Sequence, residues 1–184
     1  MSTAHPLRQN IYLTGLKHCG KTTLGKMLAT QTGRDFYDLD DLLLEQAAEY
    51  GYSTVREVYR SAGREKFQEY EASAAQKAAF SAAILSLGGG TIENEAALQA
   101  LKPRGKLIYL VVEEGVLYKR IERGGLPPFL LGPRPPQALF HELYIRRHSL
   151  YMQHSELIIE LPDQAVENNF EILYSRLKDN NYVR

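Results

Sequence analysis

The stretch Gly15-Leu16-Lys17-His18-Cys19-Gly20-Lys21-Thr22 reads G-x-x-x-x-G-K-T and directly follows the apolar run Ile11-Tyr12-Leu13-Thr14. A loop of this spacing between a strand and a helix turns its backbone N–H groups inward, where they bind phosphate oxygens with no bulky side chain in the way. Gly15 and Gly20 allow that wrap. The helix predicted from Lys21 to about Thr32 aims its unpaired N–H groups and positive dipole end at the same anion. In such a loop Lys21 reaches the β- and γ-phosphates as a mobile cation, and the Thr22 hydroxyl ligates Mg²⁺. Lys17, His18, Cys19 and Thr23 complete the expected nucleotide-binding set. A Gly-punctuated turn matching by chance is the competing account; the strand before the loop and the amphipathic helix after it argue against it.

At 184 residues the chain fits one domain with a sizeable core. That domain is expected to use residues 10–52, 83–123 and 155–180 as its core. Lys plus Arg equals Asp plus Glu, 22 each, so no global field favours nucleic acid or an anionic membrane surface. Cys19 is the only cysteine, which excludes an intrachain disulfide and a cysteine-rich zinc site and suits a reducing compartment. Met1–Gln9 is polar, and the longest apolar run, Leu107–Val112, falls far short of the ~20 residues that span a bilayer. A soluble, cytoplasmic monomer is the expectation.

Strand-like runs occur at Ile11–Thr14, Phe36–Leu39, Ala83–Leu87, Leu107–Val112 and Leu157–Leu161, with helical patterns between them. Short apolar strands alternating with helices predict an α/β fold: a five-stranded parallel sheet between two helical layers, with ligands at the carboxyl ends of the strands. Residues 53–82 form a helical insert divided at Gly63, placed to cover a small substrate. Residues 124–137, within Arg123-Gly124-Gly125-Leu126-Pro127-Pro128-Phe129-Leu130-Leu131-Gly132-Pro133-Arg134-Pro135-Pro136, are rich in breakers of regular structure and read as a lid loop or a plain surface connection.

Asp38-Leu39-Asp40 is expected to close the second strand, where alternation puts both carboxylates on one side beside the phosphate loop. One carboxylate can support Mg²⁺ while the other binds or deprotonates an attacking hydroxyl. The competing reading is a helix cap by Asp40 or Asp41. Gly88-Gly89-Gly90 after the third strand permits close backbone approach to a ligand, or is only a flexible turn.

These segments, with the Gly63…Phe67…Glu71 spacing and Arg147-His148-Ser149-Leu150-Tyr151, resemble the shikimate kinase family in order along nearly the whole chain. The resemblance implies a P-loop fold of the nucleoside monophosphate kinase type. It further implies transfer of a phosphoryl group from ATP, with Mg²⁺, to the 3-hydroxyl of shikimate, a step of chorismate and aromatic amino acid biosynthesis. By that matching Lys21, Asp38 and Asp40 are catalytic, Thr22 and Asp38 serve the metal, and Arg120 lies near adenine. Asp40, Gly89, Gly90 and Arg147 would bind the substrate, Arg147 through its carboxylate. The alternative for Arg147 is a solvent-facing member of the Arg146-Arg147 pair, although planar bidentate pairing suits Arg to the role.

The chain departs from the family pattern at three places. Gln68 stands where the family has a carboxylate-binding arginine, and a neutral amide cannot supply the charge-assisted part of that contact. Arg64, four residues earlier on the same helical face, is the expected substitute. Pro127-Pro128 replaces the lid's Arg-Pro, which leaves Arg134 as the lid candidate for the transferring phosphate. His18 replaces a glycine within the phosphate loop and is expected to be neutral and solvated. His5, His141, His148 and His154 lack metal-ligand spacing and read as surface.

Three other readings remain: a kinase of another small hydroxylated acid, a nucleotide-binding homologue with reduced catalysis, and a P-loop ATPase or GTPase. Retention of Asp38 and Asp40 argues against decay, and no Asn-Lys-x-Asp guanine-reading segment occurs. In Arg56–Tyr70 the acidic residues offset the basic ones, so no nucleic-acid partner is expected.

Overall fold

Five strands, β1 (Asn10–Thr14), β2 (Phe36–Asp38), β3 (Ile84–Ser86), β4 (Gly105–Val111) and β5 (Leu157–Glu160), pair in the order β2-β3-β1-β4-β5. All four pairings are parallel. The structure is a computed structural model that describes residues 9–78 and 80–184, so His5 and nearly all of the polar stretch Met1–Gln9 lie outside the described residues. β1 is buried at every position, as a central strand covered on both faces must be.

The helices are α1 (Lys21–Thr32), α2 (Leu39–Ala47), α3 (Val55–Lys77), α4 (Glu95–Leu101), α5 (Glu114–Arg123), α6 (Pro136–His154) and α7 (Val166–Asp179). Right-handed crossovers send the β1–β2 connection over one face and the β2–β3, β3–β4 and β4–β5 connections over the other. Accordingly α1 packs beside α7 on one side, while α3 and α4 pack together on the other and α6 lies against β4. The chain leaves β1 and β3 toward opposite faces, which opens a crevice beyond their carboxyl ends, the place where open α/β sheets bind ligands. The phosphate loop follows β1, and Gly88-Gly89-Gly90 follows β3.

Two boundaries differ from the sequence expectation in ways that matter. β2 stops at Asp38, and Leu39, read as a strand residue, is the first residue of a helix. The Asp38 side chain accepts from the Asp40 N–H and caps that helix, and Asp40 and Asp41 then sit in its first turn, where acidic groups oppose the helix dipole favourably. Strand alternation therefore does not relate Asp38 to Asp40, and the cap is neither Asp40 nor Asp41. β3 is likewise shorter than Ala83–Leu87.

The insert is α3, started by a capping box in which Thr54 and Glu57 exchange hydrogen bonds with each other's backbone N–H groups. Gly63 breaks its helical path at φ 81°, ψ 173°, a conformation costly to any residue with a Cβ. The lid segment contains only a single 3₁₀ turn, Pro128–Leu130, before α6 begins at Pro136. Among the described residues no helix is long and apolar enough to cross a membrane.

Candidate active site

The phosphate loop is wound as its glycines foretell. Gly15 has φ 145°, and a Cβ there would lie 2.8 Å from the Leu110 carbonyl oxygen and 2.9 Å from the Cys19 sulfur. Cys19 is thus a buried support under the loop; only its backbone is available to a ligand. Gly20, at φ 102°, begins α1 in the left-handed region without a side-chain cap, which leaves the first N–H groups of the helix for an anion. His18 also has positive φ, 66°, which explains why a glycine is the easier residue there. Its imidazole pKa is lowered by burial and by Lys17, Lys21 and Arg120, so the ring stays neutral at physiological pH. Lys17, Thr22 and Thr23 are exposed along the loop and the start of the helix.

Lys21 is 9% exposed and points into the loop, its Nζ donating to the carbonyls of Gly15 (2.8 Å) and Leu16 (3.1 Å). The Thr22 hydroxyl donates to Asp38 Oδ2 at 3.1 Å and lies 3.3 Å from Ser86 Oγ. Three oxygen-bearing side chains from α1, β2 and β3 thereby meet beside the loop. Ser86 has no role in the sequence reading; its position as the last residue of β3, one residue short of the glycine run, is the available signal. Arg120 on α5 donates to the His18 carbonyl at 3.1 Å and pairs with Asp163 at 2.7 Å, so it braces the loop's outer side.

The glycine run forms the opposite wall. A Cβ on Gly89 would stand 3.5 Å from the Lys17 nitrogen, 3.6 Å from the Gly15 oxygen and 3.7 Å from Arg147 Nη1, and one on Gly90 would stand 3.4 Å from Arg147 Nη2. Gly88, part of the glycine run but not among the expected substrate-binding residues, is the most constrained of the three: a Cβ there would be 2.9 Å from Asp40 Oδ1, 3.1 Å from Thr91 Oγ1 and 3.4 Å from Glu71 Oε1. Asp40 and Glu71 converge on this point. The Asp40 pKa is pushed up to about 6 by burial, then by the neighbouring charges of Asp38 and Glu71, with Lys21 opposing. Glu71 is 2% exposed and accepts from Thr91 Oγ1 (2.6 Å) and Asn94 Nδ2 (2.8 Å); burial raises its pKa against those hydrogen bonds.

Arg147 is brought to the wall rather than to solvent, with its side chain 19% exposed. Gln68 is half-buried on α3, and its backbone carbonyl accepts from the same Asn94 amide that reaches Glu71. Arg64 is exposed and has no hydrogen-bond or ion-pair partner among the described residues. Arg134 is not drawn inward: it pairs bidentately with Glu142 on α6, both side chains more than half exposed.

His148 corrects the surface reading. It is half-buried, hydrogen-bonded to the buried Tyr109 hydroxyl at 2.9 Å and stacked on Tyr144. His141 is exposed and meets Glu114 at 3.0 Å. One turn beyond Arg147, the fully buried Tyr151 donates its hydroxyl to the Gly89 carbonyl at 2.7 Å, so α6 grips the wall from two points. Tyr151→Phe leaves that carbonyl without its donor and is expected to destabilise by about 1–2 kcal/mol while raising the acceptor-substrate KM more than the ATP KM. Denaturant titration with paired KM measurements checks this; equal changes in both KM values would show that Tyr151 acts only on stability.

A family model described as shikimate kinase matches residues 17–178. The shikimate kinase of Chlamydia pneumoniae is 43% identical over 117 residues, a match spanning 64% of this chain and 66% of that protein. That of Thiobacillus denitrificans is 31% identical over 170 residues, spanning 92% of this chain and 91% of that one. A solved shikimate kinase from Acinetobacter baumannii, in complex with shikimate, superposes with a TM-score of 0.82 at 27% identity, covering 94% of each chain. With the phosphate loop, the glycine wall and the Arg147 helix assembled at one switch point, and with a family model covering most of its length, the chain belongs to the shikimate kinase family.

Proposed function

We propose that this chain transfers the γ-phosphoryl group of ATP to the 3-hydroxyl of shikimate. The observation that carries this reading is that the Asp40 carboxylate and the Arg147 guanidinium both reach one glycine wall, which abuts the phosphate loop so closely that a Cβ on Gly89 would lie 3.5 Å from the Lys17 backbone nitrogen. A hydroxylated acid lying on that wall would offer a hydroxyl to Asp40 and a carboxylate to Arg147, with the phosphate loop beside the hydroxyl. The bound shikimate in the A. baumannii relative supports the same assignment.

In this reading the loop N–H groups and the start of α1 hold the phosphates, and Lys21 turns its Nζ from the Gly15 and Leu16 carbonyls to the transferring group. Asp40 binds the attacking hydroxyl and takes its proton as the new O–P bond forms and the bond from the γ-phosphorus to the β–γ bridging oxygen breaks, that oxygen leaving with ADP. The donor set fits Mg²⁺: hydroxyl and carboxylate oxygens of Thr22, Asp38 and Ser86 meet beside the phosphate loop and would hold the ion, which would neutralise charge on the transferring group. Arg120 borders the nucleotide, and closure of 124–137 over the site excludes water. The reading also places the chain in the cytoplasm as a single-domain monomer without nucleic-acid or membrane partners.

The test is ADP release with ATP and Mg²⁺, comparing shikimate with quinate, gluconate and nucleoside monophosphates, repeated for Arg64→Ala. Shikimate alone should stimulate turnover. If Arg64 supplies the second cation, its loss should raise the shikimate KM by about 10-fold or more. Turnover with another acceptor instead would overturn the substrate, and an unchanged KM would remove Arg64 from the site.

A further inference from the structure

Arg147 does not stand alone at the wall. Its Nε and Nη2 both donate to a single oxygen of Glu93, Oε2, at 3.1 and 2.9 Å, while Arg146 Nε takes the other oxygen, Oε1, at 2.9 Å. Glu93 ends the 3₁₀ turn Thr91–Glu93, and its N–H donates to the Gly90 carbonyl at 2.9 Å. The same turn begins with a Thr91 N–H to Gly88 carbonyl bond at 3.1 Å, and the Thr91 hydroxyl reaches Glu71. Glu93 is therefore built into the wall it follows and grips α6 from that side.

This contact aims the guanidinium. With Nε and Nη2 committed to Glu93, the Nη1 edge is what remains toward Gly89, where a Cβ would be 3.7 Å away. Glu93 is 13% exposed at its side chain, so the pair is partly desolvated and stronger than an open surface bridge. Burial alone would raise its pKa, but Arg147 and Arg146 outweigh burial and hold the carboxyl below its ordinary range, charged throughout the neutral region. Two arginines on one carboxylate leave a net charge of about +1, which a substrate carboxylate would complete.

We propose that Glu93 is a positioning and selectivity residue for the acceptor's carboxylate: it locks Arg147 onto the glycine wall with its Nη1 edge presented to the substrate. The inference rests on the shikimate reading above. Without Glu93 the two arginines repel one another, and Arg147 regains its rotamers at the expense of acceptor binding.

Glu93→Gln and Glu93→Ala are measured in wild-type and Arg147→Ala backgrounds for shikimate KM, ATP KM and kcat, with thermal unfolding to establish that each variant is folded. In the wild-type background the shikimate KM should rise about 10- to 100-fold, the value lost with a charge-assisted hydrogen-bonded pair, while the ATP KM holds and kcat falls far less. In the Arg147→Ala background either Glu93 change should add nothing. Preference for shikimate over its carboxamide should narrow in Glu93→Gln. A shikimate KM unmoved in the wild-type background, or an undiminished effect without Arg147, overturns the role of Glu93 alone. Absence of shikimate turnover in the unsubstituted protein overturns the substrate reading and this role with it.

Discussion

Lys21→Met is expected to lower phosphoryl transfer by at least about 10²–10³-fold, the typical loss when one preorganised donor to a developing negative charge is removed. The expectation comes from where the ammonium sits. It is held within the loop by two carbonyls, Gly15 and Leu16, and lies 3.7 Å from the Cys19 sulfur. A cation held by neutral carbonyls and no carboxylate keeps its full charge for a phosphate, and its low exposure shields that charge from solvent. Methionine keeps most of the stem's volume, so the loop retains its packing against Cys19, and the two carbonyls left without a donor cost about 1–3 kcal/mol each at most. Circular dichroism should therefore report a folded variant while kcat collapses and ATP binding weakens. Full activity in that variant would refute the assignment of this loop as the phosphate site.

The parts of this site that were legible in the sequence are those written in local spacing. Gly15, Gly20, Lys21 and Thr22 announce their geometry within eight consecutive residues, and Gly63 and Gly88-Gly89-Gly90 mark real breaks. The parallel sheet and the placing of ligands at its carboxyl edge followed from the alternation of strands and helices, whereas the strand order β2-β3-β1-β4-β5 and the crevice between β1 and β3 belong to the fold. What remained hidden was set by contacts across the fold. Glu93 and Arg147 are 54 residues apart in sequence, and nothing local to either names the other. Glu71 belongs to the Gly63…Phe67…Glu71 spacing, but its burial and partners are invisible until Thr91 and Asn94 from a distant turn close over it. His148 looked solvated because its partner, Tyr109, lies on another element. The Asp38 cap is a different failure. Asp38 followed by two acidic residues in the first turn is a helix-start pattern in plain view, but the apolar Leu39 between Asp38 and Asp40 equally continues the alternation of β2, and local pattern alone does not choose between strand and helix there.

That helix start is what makes Asp40 the residue with the most informative substitution. At the head of α2 it is packed against Gly88, near Asp38 and Glu71, and its carboxyl titrates near about 6 instead of its ordinary 3.8. As a base Asp40 works ionised, so kcat/KM should carry an acid limb near pH 6, with activity falling below it. Asp40→Asn should cost about 10²–10⁴-fold in kcat, remove that limb, and leave the ATP KM little changed. Stability should move the other way. A carboxyl whose folded pKa is raised is protonated in both states below about pH 4, so no penalty exists there. Between about 4 and 6 only the unfolded state ionises freely, and above about 6 the folded state bears the whole cost, on the order of 1–3 kcal/mol. The asparagine variant should therefore unfold several degrees higher than the unsubstituted protein at pH 7.5, with the advantage gone near pH 4. Thermal unfolding at the two pH values, beside a pH–rate profile, separates the possibilities. A variant that keeps wild-type kcat places the base elsewhere, and one that gains no stability at neutral pH shows that neither burial nor the charges of Asp38 and Glu71 burden the Asp40 carboxylate. If both effects appear, the ionised Asp40 that accepts the substrate's proton is also a group the fold holds at a cost, against the repulsion of its own neighbours.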